Sequence, residues 1–134
     1  MKASDFNMSA EIRFDFEKGI TSFRDTRLVL FDANAFGLLR RSLVKELGWE
    51  RARALVLRFG YQHGFSDFMQ MKVNFTFDRP VDLLASGPVL HTWQGLVKAT
   101  PKEIRIDEAK REFLFTGVWS NSYEAEQHLC ASEP

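Results

Sequence analysis

A histidine and a tryptophan are the side chains of this sequence that are best suited to bind a small molecule. His91 lies in the segment GPVLHTWQG, and Trp119 lies in the segment EFLFTGVWSNSY. A neutral imidazole can donate or accept a hydrogen bond, and an indole N–H can donate one. A buried hydroxyl group needs such partners, since leaving it unpaired costs about 1–3 kcal/mol. We therefore predict that His91 and Trp119 form the polar part of a small-molecule pocket, although their spacing does not show that they meet.

The tryptophan belongs to a segment, Glu112 to Tyr123, that alternates with period two as a strand does. One face of this strand carries aromatic side chains with a glycine among them: Phe113, Phe115, Gly117, Trp119 and Tyr123. The missing side chain at Gly117 leaves room either for a flat apolar ligand or for a neighbouring backbone at close approach. If the ligand takes this space, the pocket favours a substituted or larger aromatic molecule.

These residues also have structural explanations that involve no ligand. A lone histidine near an apolar segment is commonly a surface residue or a satisfied core residue, and a strand tryptophan most often packs in the core. His63, on the apolar side of its predicted helix, fits a structural role, and His128 with Cys130 is too little to predict a metal site. The chain has neither a glycine-rich phosphate loop nor a GxSxG elbow, so we expect no enzyme. Catalysis with His91 as an acid or base is the weakest alternative.

The composition indicates one packed domain that does not bind nucleic acid. The chain has 134 residues, of which 45% are hydrophobic, and this suits a single domain with a dense core. Its 18 basic and 18 acidic residues give a net charge of zero, whereas nucleic-acid modules usually carry a basic face. One cysteine, no apolar run of membrane-spanning length and a polar N-terminus predict a cytoplasmic protein that does not enter a membrane.

The first half of the chain must supply strands and helices that position the aromatic strand. After a loose polar segment at residues 1–10, alternation predicts a strand at residues 11–16 and a second at residues 27–31 that pairs with it. Asp32 is the predicted N-cap of a helix that runs to Leu47 and ends at Gly48.

A second helix is predicted from Glu50 to about Met69. It is apolar on two sides, so it is either central in the fold or shared with a partner chain. Gly60 and Gly64, four residues apart, would let another element approach one face of this helix closely. Residues 70–82 are predicted as a loop, with a short strand at 73–77.

The segment before the aromatic strand is predicted to contain short helical turns and a partner strand. Asp82 is the predicted cap of a short helix that Gly87-Pro88 interrupts, with Pro88 opening a further turn. A strand follows from Leu96 to Ile106, in which Pro101 forces an edge or a bulge, and DEAKR makes the turn into the aromatic strand. We therefore predict an α+β fold, in which antiparallel strands pack against two long helices in a single domain of residues 1–134.

Three segments together resemble a known family: LVKELGWERARALVLRFGYQHG at 43–64, SGPVLHTWQGLVK at 86–98 and FLFTGVWSNSYEAEQHL at 113–129. In this order they are similar to the N-terminal sensory domain of bacterial activators of aromatic catabolism. Members of that family work with the sigma-54 form of RNA polymerase and respond to phenols, toluene or xylenes. The resemblance covers about residues 25–134.

The resemblance implies a function and roles for particular residues. In the family, the histidine of GPxLH and the tryptophan of WxxSxE hold the hydroxyl group of the effector, and the matching positions are His91 and Trp119. Effector binding would relieve repression of an ATPase domain in a longer parent protein, and the domain would form a homodimer. Zinc would be bound only in a longer parent, since Cys130 does not clearly match a zinc ligand, so no cofactor is expected in this chain.

We therefore expect a sensory domain that binds a small aromatic effector and controls a transcription activator without catalysis. Its expected ligand-binding residues are His91, Trp119, Phe115, Gly117 and Tyr123. The alternative is a dimerisation or interaction module of a regulator that has no functional small-molecule pocket.

Overall fold

The computed structural model describes residues 1–107 and 109–130, the last three by their backbone alone. Its elements are a 3-10 turn followed by helices and strands in this order: Ala3–Asp5, α1 Met8–Glu11, β1 Ile12–Asp15, β2 Ile20–Phe23, β3 Thr26–Leu28, α2 Ala33–Leu47, α3 Trp49–Asn74, α4 Pro80–Trp93, β4 Lys98–Asp107, β5 Glu112–Ser120 and α5 Tyr123–Cys130. All strand pairs are antiparallel, and α2 and α3 are two long helices. The predicted α+β class is confirmed.

The N-terminal sheet has one strand more than the sequence predicts. Its order is β1-β2-β3, so β2 pairs with both neighbours and the predicted direct pairing of the strands near residues 11–16 and 27–31 is wrong. Gly19 and Arg24, both at positive φ, make the two tight turns that leave room for β2 between them. Val29 and the two residues after it lie beyond β3 and are exposed.

The predicted loose segment at residues 1–10 is wrong, because this segment builds the core. Phe6 and Met8 are buried, and they join Phe23 of β2, Met71 of α3 and Leu90 of α4 in one cluster. The Phe6 ring meets the Phe23 ring edge-on, with centroids 6.2 Å apart. Isolated apolar side chains in a polar segment form no amphipathic pattern. Their burial therefore cannot be predicted locally, because it depends on contacts with residues far away in the sequence.

The two long helices begin largely as the sequence predicts. The side chain of Asp32 accepts a hydrogen bond from the Asn34 N–H at 2.9 Å, which confirms it as the N-cap of α2, and Gly48 ends this helix. Helix α3 continues to Asn74, past the predicted end, and the predicted strand at 73–77 is wrong. The extension buries Met71 against the N-terminal segment. None of the described helices combines the length and hydropathy that crossing a membrane requires.

Helix α4 is continuous where the sequence predicts interruptions. Pro80 takes its first turn and Arg79 its N-cap position, so the prediction that Asp82 caps the helix is wrong. The Asp82 carboxylate instead accepts a hydrogen bond from Arg79 Nε at 2.8 Å. Pro88 lies inside the helix, where its missing N–H leaves one backbone bond unmade. Burial of Ser86 and Leu90 on either side of it stabilises the helix across this defect.

Strands β4 and β5 form a hairpin whose register confirms the irregularity predicted at Pro101. The pairing shifts by one residue between Pro101 and Glu103, which is a β-bulge. The predicted DEAKR turn includes residue 108, which lies outside the described residues, so its structure is not compared. The hairpin packs through β4 against α4 and thereby carries β5 to the end of that helix.

Candidate functional site

His91 and Trp119 lie side by side at the junction of α4 and the hairpin. His91 is in the last turn of α4, and its ring centroid is 6.1 Å from that of the Trp119 indole on β5, with the rings tilted by 49°. Thr92 Oγ1 accepts a hydrogen bond from the Ala99 N–H at 3.0 Å, and Ala99 is paired with Trp119 in the hairpin. The end of α4, the start of β4 and the end of β5 are therefore held together, which places the two polar groups next to each other.

Phe115 extends this pair into an aromatic surface. Its ring meets the Trp119 ring edge-on, with centroids 6.2 Å apart and planes at 74°. Phe115 is half-buried, whereas 52% of Trp119 is exposed. Edge-to-face aromatic packing of this kind stabilises a fixed ring arrangement. The three side chains together form an open site that can hold a flat ring against apolar surface while His91 and Trp119 Nε1 contact a hydroxyl group.

The space expected at Gly117 is taken by backbone, so the expectation that it enlarges the pocket is wrong. A Cβ at Gly117 would be 2.8 Å from the carbonyl oxygen of Thr100 and 3.3 Å from the Cα of Pro101. Gly117 is the strand partner of Pro101, at the point where the bulge begins, so the close approach coincides with this irregularity. The second of the two explanations, close approach of a neighbouring backbone, is the one that the structure supports. The structure at Gly117 therefore gives no reason to expect a preference for a larger effector.

Tyr123 is also separated from the other candidates. Strand β5 ends at Ser120, Asn121 adopts a left-handed conformation with φ of 52°, and Tyr123 begins α5 instead of continuing the aromatic strand face. It lines a different cavity, between α2, α3 and α5, with a volume of about 690 Å³. Burial raises the pKa of the Tyr123 phenol, and the charge of Glu124 adds to this.

The cavity between α2, α3 and α5 is mostly apolar, and its lining includes none of the other four predicted residues. Its apolar lining comes mainly from facing sides of the two long helices: Phe36, Leu39, Leu43, Leu55, Val56 and Phe59. Arg40 and Arg58 also line it, as does His63. The structure therefore contains two candidate sites, the open aromatic surface at His91 and the cavity between α2 and α3.

Three polar side chains near His91 form a group that the sequence analysis does not predict. Gln94 Nε2 donates a hydrogen bond to Asp67 Oδ2 at 3.0 Å, and His63 Nδ1 lies 3.9 Å from the same oxygen. His63 and Asp67 are four residues apart on one face of α3, and Gln94, the C-cap residue of α4, is three residues after His91. The spacing within each pair can be seen in the sequence. That α3 and α4 pack together and bring the two pairs into contact can be seen only in the tertiary structure.

Burial favours the neutral form of the His91 imidazole. Burial lowers the pKa of His91 below its usual value, the nearby His63 lowers it further, and the negative charge of Asp67 opposes both. A neutral imidazole has one nitrogen that donates and one that accepts. His91 can therefore serve either as acceptor for a phenolic O–H or as donor to its oxygen.

Comparison with known proteins relates the chain to a described family and to two transcription regulators. Residues 7–107 match the model of a family described as activator of aromatic catabolism. The chain is 30% identical over 122 residues to the phenol regulator MopR of Acinetobacter guillouiae, and 26% identical over 127 residues to the transcriptional regulatory protein XylR of Pseudomonas putida. Trp119 lies outside the residues that the family model matches.

Among solved structures, the chain is similar to the phenol-responsive sensory domain of the transcription activator PoxR, crystallised with phenol. The two share 32% sequence identity with a TM-score of 0.81, over 94% of this chain and 62% of that one. The alignments cover 89% and 95% of this chain but only 21% of MopR and 22% of XylR. The chain thus spans about a fifth of the length of these two regulators.

Proposed function

Because the chain belongs to the family of activators of aromatic catabolism, we propose that it is a sensory domain that binds a small phenol-like effector and controls a transcription activator. The observation that carries this proposal is the contact of His91 with Trp119, whose ring centroids are 6.1 Å apart. These two polar side chains lie beside the ring of Phe115, so the site offers hydrogen bonds and aromatic surface together. The phenol-bound state of the PoxR sensory domain supports phenol as the first ligand to test.

In the proposed complex, His91 and Trp119 hold the hydroxyl group of the effector and Phe115 packs against its ring. Neutral His91 accepts the phenolic proton in a hydrogen bond, and the Trp119 indole N–H donates to the phenolic oxygen. Each bond to a neutral hydroxyl contributes about 0.5–1.5 kcal/mol net. Gly117 acts here only by letting β4 and β5 approach, and Tyr123 lies in the cavity between α2, α3 and α5.

Binding would act on the rest of a longer regulator. In the proposed mechanism the occupied domain relieves repression of an ATPase domain that works with sigma-54 polymerase in the cytoplasm, and it performs no catalysis itself. We also propose a homodimer that uses the N-terminal strands or α3. Leu57 and Phe65 of α3 are 58% and 56% exposed, and, apart from the adjoining residues and backbone of α3 itself, no described atom lies within 4 Å of a Cβ placed at Gly60 or Gly64. These features support a partner for α3 outside the chain itself.

The cavity between α2 and α3 supports a second candidate. Its volume of about 690 Å³ and its apolar walls suit either a small molecule or an apolar side chain of a partner. If a side chain of a partner fills this cavity, the chain is an interaction module. If a small molecule fills it, the effector binds away from His91.

Calorimetric titration with phenol separates these functions. We expect the chain to bind phenol, His91→Ala and Trp119→Ala to weaken binding about 2- to 13-fold each, and Leu39→Trp to leave it unchanged. Leu39 lines the other cavity and is 54% exposed, so a larger side chain there fills the cavity without disturbing buried packing.

The reverse pattern, in which only Leu39→Trp abolishes binding, would assign the effector to the cavity between α2 and α3. No binding of phenol or of alkylphenols by the wild type would leave the interaction module as the function. Far-ultraviolet circular dichroism of each variant checks that the fold is retained.

A further inference from the structure

We propose that the cavity between α2, α3 and α5 binds an apolar organic acid, and that Arg40 and Arg58 hold its carboxylate. The ligand class is a carboxylate on an aromatic or alkyl body. This site is separate from the His91 surface, at which the phenol-like effector is proposed to bind. The inference therefore goes beyond the proposed function, because it adds a second ligand of a different charge.

The cavity has the size and the walls of a small-molecule site. Its volume of about 690 Å³ lies within the range of about 300–1,000 Å³ that ligand pockets commonly have. Phe36 and Leu39 of α2 line it together with Val56 and Phe59 of α3. These four apolar side chains remain between 37% and 57% exposed, so the chain itself does not fill the space between them. An apolar ligand body would remove this surface from water, which is favourable.

Two arginines give this apolar cavity positive charge. Arg40 belongs to α2 and Arg58 to α3, and both line the cavity. In the part of the chain that the structure describes, neither arginine forms an ion pair. Arg58 is exposed and Arg40 is partly exposed, so a ligand can reach both side chains. An arginine stays charged in proteins and can hold a carboxylate through two parallel hydrogen bonds.

Glu124 is the one acidic residue among the described residues that line the cavity, and its carboxylate is engaged with Tyr123. It accepts a hydrogen bond from the Tyr123 hydroxyl at 3.4 Å and forms no ion pair with either arginine among the described contacts. Burial raises the pKa of the Tyr123 phenol, and the positive charge of Arg40 opposes this rise, so Arg40 lies near that hydroxyl. The cavity therefore retains positive charge that the carboxylate of a ligand can balance.

The apolar walls and the arginines together select a ligand by its charge. An apolar body between α2 and α3 loses contact with water whether or not the ligand is charged. A carboxylate also forms charge-assisted hydrogen bonds with Arg40 and Arg58, and a neutral amide of the same shape cannot form them. The cavity should therefore prefer an acid to its amide, whereas a purely apolar groove would not separate the two.

The test compares 2-naphthoate with its neutral amide, 2-naphthamide, by calorimetry on the intact chain. We expect the wild type to bind 2-naphthoate about tenfold more tightly than 2-naphthamide, the lower end for hydrogen bonds to a charged group, because Arg58 is exposed to solvent. Arg40→Gln and Arg58→Gln should each reduce this ratio about threefold, and the double variant should bring it to about one. Leu39→Trp, which fills the cavity, should weaken the binding of both compounds.

The matched control is Arg53→Gln, because Arg53 is an exposed arginine of α3 that does not line the cavity. It should leave the ratio of the two affinities unchanged, and so should His91→Ala. Circular dichroism checks that each variant is folded.

Three results would overturn the inference. Equal affinities of the wild type for the two compounds would mean that the arginines do not select the ligand. Loss of 2-naphthoate binding in His91→Ala but not in Leu39→Trp would place the acid at the His91 surface. Absence of 2-naphthoate binding would leave the cavity to an apolar side chain of a partner. Phenol is not used in these measurements, so failure of the proposed function is seen separately.

Discussion

The Ala99 N–H donates a hydrogen bond to Thr92 Oγ1 at 3.0 Å, and this bond joins the last turn of α4 to the first residues of β4. Thr92 follows His91 in sequence, and Ala99 is the strand partner of Trp119. The bond therefore links the helix that carries His91 to the strand that pairs with Trp119 on β5. We expect this bond to help set the separation of His91 and Trp119.

Loss of the Thr92 hydroxyl should weaken effector binding. Thr92→Val keeps the shape of the side chain but removes the acceptor for Ala99, so β5 is held less firmly beside His91. We expect phenol affinity to fall about 2- to 5-fold, because one exposed hydrogen bond is worth about 0.5–1 kcal/mol. Thr92→Ser keeps the hydroxyl and should bind phenol as the wild type does. Equal affinities in all three proteins, measured by calorimetry, would show that the bond does not position the site.

A side chain at Gly117 should destabilise the hairpin. Gly117→Ala would place a Cβ 2.8 Å from the Thr100 carbonyl oxygen, and backbone cannot yield as a flexible side chain can. Overpacking of this kind costs about 1–3 kcal/mol in the free energy of unfolding. Gly60→Ala is the matched control, since no described atom outside the adjoining part of α3 lies within 4 Å of a Cβ at this position, and alanine stabilises a helix by about 1 kcal/mol relative to glycine. Urea denaturation measures both; a stable Gly117→Ala variant would contradict the close approach.

The His91 environment should make the stability depend on pH. Burial lowers the folded-state pKa of His91 below the ordinary value of 6.5. Between these two values the unfolded chain binds a proton that the folded chain does not, so the free energy of unfolding falls as pH drops below about 6.5. Urea midpoints at about pH 7.5 and about pH 5.5 measure this change. His91→Phe should show a smaller loss over the same interval, and an equal loss in both proteins would mean that other groups cause it.

The assembly state should depend on the exposed apolar face of α3. Sedimentation of the wild type at micromolar concentration should show a dimer, because this helix presents more apolar surface than the chain itself covers. Leu57→Glu introduces a charge on that face, where Leu57 is 58% exposed, and should shift the protein toward monomer. Phe16→Glu tests the N-terminal strands instead, since Phe16 is 89% exposed beside β1. A monomeric wild type at high micromolar concentration would reject the proposed homodimer.

Local patterns were enough to predict several elements and the polar pair of the site. The cap at Asp32, the stop at Gly48 and the bulge at Pro101 each act through neighbouring backbone, so their effects are encoded within a few residues. Hydrogen-bonding chemistry and motif resemblance predict His91 and Trp119 as the polar pair, and the structure places their rings together. Their role as effector contacts stays a prediction.

Contacts between distant segments decided the rest. The burial of Phe6 depends on β2 and α3, and the space at Gly117 depends on how closely β4 approaches it. The partner of Gln94 is Asp67, which is 27 residues away on another helix. Such contacts depend on how helices and strands pack, and side-chain periodicity reports only which face of an element is apolar. The sequence therefore determined which residues could bind an effector, while tertiary packing determined which of them adjoin.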